Sequence, residues 1–309
     1  MLASKRRDGV GMIHPFMKSI SVHSPLSLTW QWFIAVITLT MTAGLQAEDE
    51  FTPTRIVPFK QIENITLSLH LFTPEGHQST DKKPAIVFFF GGGWTGGTPT
   101  QFYPQSAYLA SRGMVAICAE YRTKNNHQTR PDKCIEDGKS AMRWVRYFAH
   151  ELGIDPHRIA AGGGSAGGHV AATTATVKGF NYPMDPPVDC APQALVLFNP
   201  VYDNGPGGYG HDRVADYWES FSPMHNLDES TPPSIVFLGT HDKLIPVETG
   251  IKFQELMHAL GCRSELHLYE AQGHGFFNKN KYKETLYQAD LFLTSLGFLT
   301  GAPSFSLEP

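Results

Sequence analysis

The chain has 309 residues, 41% hydrophobic and 17% charged, with 25 basic and 29 acidic side chains for a net charge of −4. That balance describes one ordinary globular domain plus a short leader, large enough to bury a core without staples. No run of Lys or Arg is long enough to track phosphates, which excludes nucleic acid as a partner.

Residues 1–47 read as an address. Lys5, Arg6, Arg7 and Lys18 precede an apolar stretch over 30–41, followed by Gly44-Leu45-Gln46-Ala47 and the acidic Glu48-Asp49-Glu50. A basic region, a short apolar core and a small residue before an acidic start predict a signal peptide, and hence a secreted or periplasmic protein. The core is too short for a comfortable membrane span, so no stable insertion is expected after processing. The competing reading is an uncleaved anchor. Met12 or Met17 would open a more typical leader than Met1. Without residues 1–47 the chain keeps 21 basic and 28 acidic side chains, a net of −7. That favours solubility and disfavours anionic polymers as substrates. The catalytic domain is expected over 48–299, with a flexible tail at 300–309.

Beyond Ala47, short apolar runs alternate with longer amphipathic ones. Strands are predicted at 56–59, 65–72, 85–90, 115–119, 159–161, 194–198, 235–238 and 265–269, several of them apolar throughout, as strands buried on both faces are. Helices are predicted at 103–111, 133–152, 165–177, 247–260 and 282–296. In the second, Ile135, Ala141, Met142, Val145, Phe148, Ala149 and Leu152 keep approximate helical spacing. The alternation dictates a parallel sheet with right-handed crossovers and helices on both faces, and the two strands before any helix form an antiparallel pair at one edge. Two segments break the rhythm, 179–192 and 203–233, both rich in Gly, Pro, Asp and aromatics. Such segments are binding loops or tolerated surface insertions, and the second, with Tyr202 just before it, carries Tyr209, Tyr217, Trp218 and Phe221. Of the four cysteines, Cys118 lies in an apolar strand and reads as a free thiol. In an oxidising compartment Cys118, Cys134, Cys190 and Cys262 would allow three pairings if two bonds formed.

The most informative stretch runs from Ile159 to His169. Gly163-Gly164-Ser165-Ala166-Gly167 places Gly-x-Ser-x-Gly directly after an apolar strand and at the head of an Ala-rich helix. That context puts a serine on a sharp turn above the carboxyl edge of the sheet, with small neighbours to avoid clashes and a helix N-terminus to stabilise negative charge. A serine hydroxyl needs a neutral imidazole to take its proton, and a carboxylate to hold that imidazole in one tautomer. Asp242 stands just past the strand at 235–238, and His274 stands in a Gly-flanked loop after the last strand. Glu248, inside a helix, is the weaker candidate acid, and His241 the weaker base. Phe90-Gly91-Gly92-Gly93-Trp94 follows the third strand, and its glycines let N–H groups approach an oxyanion. Gly92 and Gly93, with the Ala166 N–H, are the expected donors. Trp94, His169 and Tyr202 are the expected substrate-lining side chains.

These motifs resemble the α/β-hydrolase esterases, the branch with hormone-sensitive-lipase-like carboxylesterases and bacterial acetyl-xylan and feruloyl esterases. The similarity runs from about Pro84 to Phe277. Phe90-Gly91-Gly92-Gly93-Trp94 is similar to that family's His-Gly-Gly-Gly-Trp loop, and Glu120-Tyr121-Arg122 to its Tyr-Arg step. Asp137, Ala141 and Trp144-Val145 resemble the helix before the nucleophile strand. Gly164-Ser165-Ala166-Gly167-Gly168-His169 leans towards the acetyl and feruloyl esterases. The resemblance implies an α/β-hydrolase fold of about eight mostly parallel strands without a large cap, and Asp242 and His274 as partners of Ser165. Two departures stand out: Phe90 replaces His, and Gly164 replaces an acidic residue of the lipase-like branch.

The expected activity is hydrolysis of short acyl esters through an acyl-enzyme, with no cofactor and no metal, on a small-molecule or glycan ester. O-acetyl groups of polysaccharides are the expected natural substrate. Because the base must be neutral, the rate is expected to fall below roughly pH 6–7. The alternatives are a serine peptidase or amidase of the same fold and a non-catalytic binding domain. The oligomeric state is not legible.

Overall fold

The computed structural model describes residues 51–307. The expected signal peptide and the last two residues of the expected tail lie outside them. Eight strands form one sheet: β1 (Arg55–Ile62), β2 (Ile65–Phe72), β3 (Lys83–Phe89), β4 (Val115–Ala119), β5 (Ile154–Gly164), β6 (Ala194–Phe198), β7 (Ser234–Gly239) and β8 (Ser264–Tyr269). Their order is β1-β2-β4-β3-β5-β6-β7-β8. β1 and β2 form the antiparallel edge pair, β2 also runs antiparallel to β4, and every later pairing is parallel. This is the α/β-hydrolase sheet, with long helices α1 (Tyr103–Ser111), α2 (Pro131–Tyr147), α3 (Ala166–Thr176), α4 (Val247–Ala259) and α5 (Tyr282–Ser295).

The central strands are apolar on both faces because both faces are covered. Successive strand residues point to opposite sides, so β3 sends Ala85, Val87 and Phe89 into a core shared with α2, α3 and α4. Ile86 and Phe88 go to a second core with α1 and α5. Burying each such Val, Ile or Phe contributes about 1.5–3 kcal/mol. β5 carries small residues because β3 and β6 crowd it: a Cβ at Gly162 would lie 2.7 Å from the Phe88 ring.

α2 begins on Pro131 after an extended Arg130, with Asp132 in its first turn. The spacing predicts that this helix runs to Leu152, but it ends at Tyr147. Ala149 and Leu152 are buried by the turn that follows, where Gly153 at φ 64° redirects the chain into β5. Its N-terminal half is tied to the sheet edge by buried charges. Asp137 accepts from Arg122 Nε at 2.8 Å and Lys60 Nζ at 2.8 Å, and Glu136 from Arg122 Nη2 at 2.6 Å. Burial alone would raise the Glu136 pKa, but hydrogen bonds from Lys133 and Arg122 and the charge of Lys60 hold it below the usual carboxylate range.

The disulfides that the sequence allows are not formed: all four cysteines are free and buried. Burial pushes the Cys118 thiol up to about 12. In the tail, Arg112 Nη2 donates to the carbonyls of Thr300 and Gly301 at 3.1 Å each, and Phe305 lies edge-on to Tyr108.

Candidate active site

β5 delivers Ser165 into a turn that ordinary residues avoid. Its φ of 54° and ψ of −120° lie in sparsely populated space, a strain of about 1–3 kcal/mol that surrounding bonds must hold. Ser165 N–H donates to Phe198 O at 2.9 Å, and its carbonyl accepts from His169 N and Val201 N at 3.0 and 3.2 Å. The flanking glycines are required sterically. A Cβ at Gly167 would stand 2.0 Å from Phe89 O, and one at Gly163 would stand 2.4 Å from Gly167 O. Gly164 explains the second departure: a Cβ there would press to 2.5 Å on the Phe277 ring, so an acidic side chain has no room.

The loops after β7 and β8 bring the other two groups together. His274 Nε2 faces Ser165 Oγ at 2.8 Å, and Nδ1 faces Asp242 Oδ2 at 2.7 Å. A carboxylate only accepts, so Nδ1 carries the proton and Nε2 is free to take the serine's. The Asp242 side chain is sealed from solvent. Burial would raise its pKa, but the His274 hydrogen bond and the N–H groups of Ile245 and Leu244, at 3.0 and 2.8 Å, hold it below its ordinary value. The carboxylate therefore stays charged beside the imidazole.

The glycine loop after β3 stands against this triad. Gly92 and Gly93 have φ of 134° and 62°. Neither their N–H groups nor that of Ala166 donates a hydrogen bond among the described residues. Other bonds fix the loop: Gly91 N donates to Gln101 Oε1 at 2.5 Å, and Gly93 O accepts from Arg213 Nη1 at 2.6 Å. The Phe90 departure is compensated in the same way. Its ring stacks on Tyr121 at 4.0 Å, and the Tyr121 hydroxyl donates to the Phe90 carbonyl at 2.5 Å.

A cavity of about 300 Å³ opens over Ser165, walled by the glycine loop, Gln101, Asn199, Tyr209, Leu244, His274 and Phe277. Its size suits a small ester. The three side chains expected to line it do not. Trp94 and His169 are 1% and 0% exposed, packed edge to face against each other. Trp94 sits at a φ of 57°, a conformation that the spacing of the motif does not display. Tyr202, 1% exposed, stacks on Phe253 and borders a neighbouring cavity instead.

Sequence reasoning missed the residues that do the bracing. Asn199 Oδ1 accepts from Gly275 N at 3.0 Å, steadying the His274 loop, and Asn199 Nδ2 lies 3.5 Å from His274 Nε2. Its place at the carboxyl end of β6 was the available signal. Gln101 gave none. Tyr209 was flagged only as one aromatic among several in segment 203–233. Segment 179–192 contributes nothing to the cavity wall. Among the described residues no group of His, Cys, Asp or Glu is placed to hold a metal ion, and no helix is long and apolar enough to cross a membrane.

Two family models match the chain. The BD-FAE model matches residues 69–191, which hold the glycine loop and Ser165, and the dienelactone hydrolase family model matches 208–291, which hold Asp242 and His274. Among known proteins it is 29% identical over 220 residues to Esterase LipC of Mycobacterium tuberculosis, covering 64% of this chain and 54% of that one. It is 27% identical over 208 residues to an acetylxylan esterase of Xylanibacter ruminicola, covering 62% and 41%. The chain spans about half the length of the curated relatives it matches. Among solved structures, Thermogutta terrifontis esterase 2 phosphorylated by paraoxon superposes with a TM-score of 0.78 at 41% identity, covering 82% of this chain and 97% of that one. The same esterase with propionate bound gives 0.77 at 40%, covering 82% and 97%.

Proposed function

The chain belongs to the α/β-hydrolase esterase family, and from that membership we propose that it is a serine carboxylesterase cleaving short-chain acyl esters through an acyl-enzyme. The observation that carries the reading is the unbroken run Asp242–His274–Ser165 beside three unpaired N–H groups. His274 Nε2 takes the Ser165 proton as Oγ attacks the ester carbonyl carbon, and the carbonyl oxygen becomes an oxyanion received by Gly92, Gly93 and Ala166. Each such donor is worth about 3 kcal/mol in the transition state. Collapse breaks the bond to the alcohol, which leaves with the proton from His274. Water then gives its proton to His274 as it attacks the acyl carbon, and the Ser165 oxygen leaves with that proton as the acid is released. Asp242 stays ionised throughout and stabilises the imidazolium.

The cavity of about 300 Å³ supports small acyl groups, as does propionate in the Thermogutta relative. Acetyl groups on polysaccharides are the proposed natural substrate, supported by the likeness to an acetylxylan esterase. A cleaved leader over 1–47 would deliver the enzyme outside the cytoplasm, and N-terminal sequencing of the exported protein tests that. Hydrolysis of 4-nitrophenyl acetate, butyrate and octanoate by the wild type and Ser165→Ala tests the chemistry. Acetate is preferred, and the variant loses several powers of ten. An undiminished rate in Ser165→Ala would mean that the nucleophile is elsewhere.

A further inference from the structure

Next to the catalytic cavity lies a second one of about 230 Å³, and Gly93 and Thr95 line both. The oxyanion loop is their common wall. The second cavity is bordered by Trp94, Lys124, Arg130 and Arg213, with no Asp or Glu in its lining. Arg130 is already paired with Asp216 at 2.6 Å, both largely in solvent. Lys124 and Arg213 have no carboxylate within ion-pair reach among the described residues. Arg213 is held instead by neutral groups: the Gly93 carbonyl at 2.6 Å and the faces of Trp94 and Tyr209, whose centroids lie 5.0 and 5.1 Å away. Such partners fix the guanidinium without cancelling its charge.

Two more polar groups of this lining stand without partners. Trp94 Nε1 and Thr129 Oγ1 are buried and make no hydrogen bond among the described residues. The walls are also rigidly joined, since Lys124 N donates to Trp94 O at 3.1 Å and Asn125 N to Thr95 O at 2.9 Å. The remaining guanidinium donors of Arg213 and the Lys124 ammonium on the same cavity lining match a carboxylate.

Resting on the esterase reading, we infer that this cavity is an anion subsite that binds a carboxylate carried by the ester substrate. The net charge of −7 outside residues 1–47 predicts poor acceptance of anionic polymers, but net charge acts at long range. Within a Debye length of about 8–10 Å the unpaired Lys124 and Arg213 dominate. The carboxylate belongs either to the acyl part, as in a dicarboxylic monoester, or to the alcohol part, as in an acylated hydroxy or uronic acid.

Two matched pairs separate these sources: 4-nitrophenyl hydrogen glutarate against 4-nitrophenyl valerate, and 4-acetoxybenzoate against 4-acetoxybenzamide. For each pair the ratio of kcat/KM, corrected for spontaneous hydrolysis, is read at low salt, at 0.5 M NaCl, and in Lys124→Gln and Lys124→Glu. The subsite predicts that one ratio falls about threefold in Lys124→Gln, about tenfold in Lys124→Glu, and similarly with salt. The responding pair tells which side of the ester carries the charge. An active enzyme whose two ratios stay constant within twofold throughout would overturn the subsite alone. An enzyme that cleaves none of the four compounds would overturn the esterase reading and the subsite with it.

Discussion

The two irregular segments, 179–192 and 203–233, look alike in composition and do opposite things. The first joins the end of α3 to the start of β6, so it hangs at the amino edge of the sheet. There α2 ties it down: Arg143 bonds Val188 O, Asp185 and Asn181 at 3.1, 3.1 and 2.6 Å, and Lys139 reaches Gly179 O at 2.6 Å. The second leaves the carboxyl end of β6, where open α/β sheets place their ligands. It folds over the glycine loop, putting Tyr209 in the cavity above Ser165 and Arg213 on Gly93. Composition marks a segment as unusual. Which end of the strand it departs from decides whether it builds a site.

The sharpest way to break this contrast is to unpack the second segment. Phe221 is fully buried, with His169 and Trp94 ring centroids 4.3 and 5.7 Å away. Phe221→Ala is expected to cost about 3–5 kcal/mol in urea unfolding and to lower esterase activity with it. A drop under 1 kcal/mol would mean that the segment is not part of the core. On the first segment, Asp185→Ala removes the carboxylate partner of Arg143, one of its three partners, and the acceptor of a hydrogen bond from Ser140. Here about 2 kcal/mol of stability is lost, while kcat/KM on 4-nitrophenyl acetate stays within twofold. A large kinetic defect would contradict its placement away from the site. Arg213→Gln should reverse that pattern. Its kcat/KM falls about tenfold, close to 1.4 kcal/mol, while the unfolding midpoint barely moves.

A further effect concerns pH. Burial among aromatic rings lowers the pKa of His169 from 6.5 to about 3. Between those values the unfolded chain binds a proton that the folded chain refuses, so stability falls as pH drops from 6.5 towards 3. His169→Phe is expected to flatten that limb in thermal melts from pH 7 to 4. An identical slope in both proteins would show that His169 is not its source.

The strand positions, the antiparallel edge pair, both helical layers and the meeting of Ser165, His274 and Asp242 were legible because they follow from period and position. Apolar runs set the strands, and Ser165, Asp242 and His274 each sit just past a strand end. Substrate-lining residues were not legible, because side-chain direction in a loop depends on φ rather than on spacing. Trp94 is buried at a positive φ that a chain of letters does not display. Asn199 and Gln101 act through single hydrogen bonds across long sequence separations, and no pattern announces those. The end of α2 was overrun because the turn after Tyr147 buries apolar residues at helix-like spacing.

The central claim is that Ser165 is the nucleophile, poised by His274 and Asp242. Titration with paraoxon, followed by mass spectrometry of the digested protein and a parallel esterase assay, tests it most directly. The account predicts one diethylphosphoryl group per chain, on the peptide holding Ser165, formed in step with loss of activity and absent from Ser165→Ala. A phosphoryl group on another residue, or full activity in a protein labelled at Ser165, would contradict it.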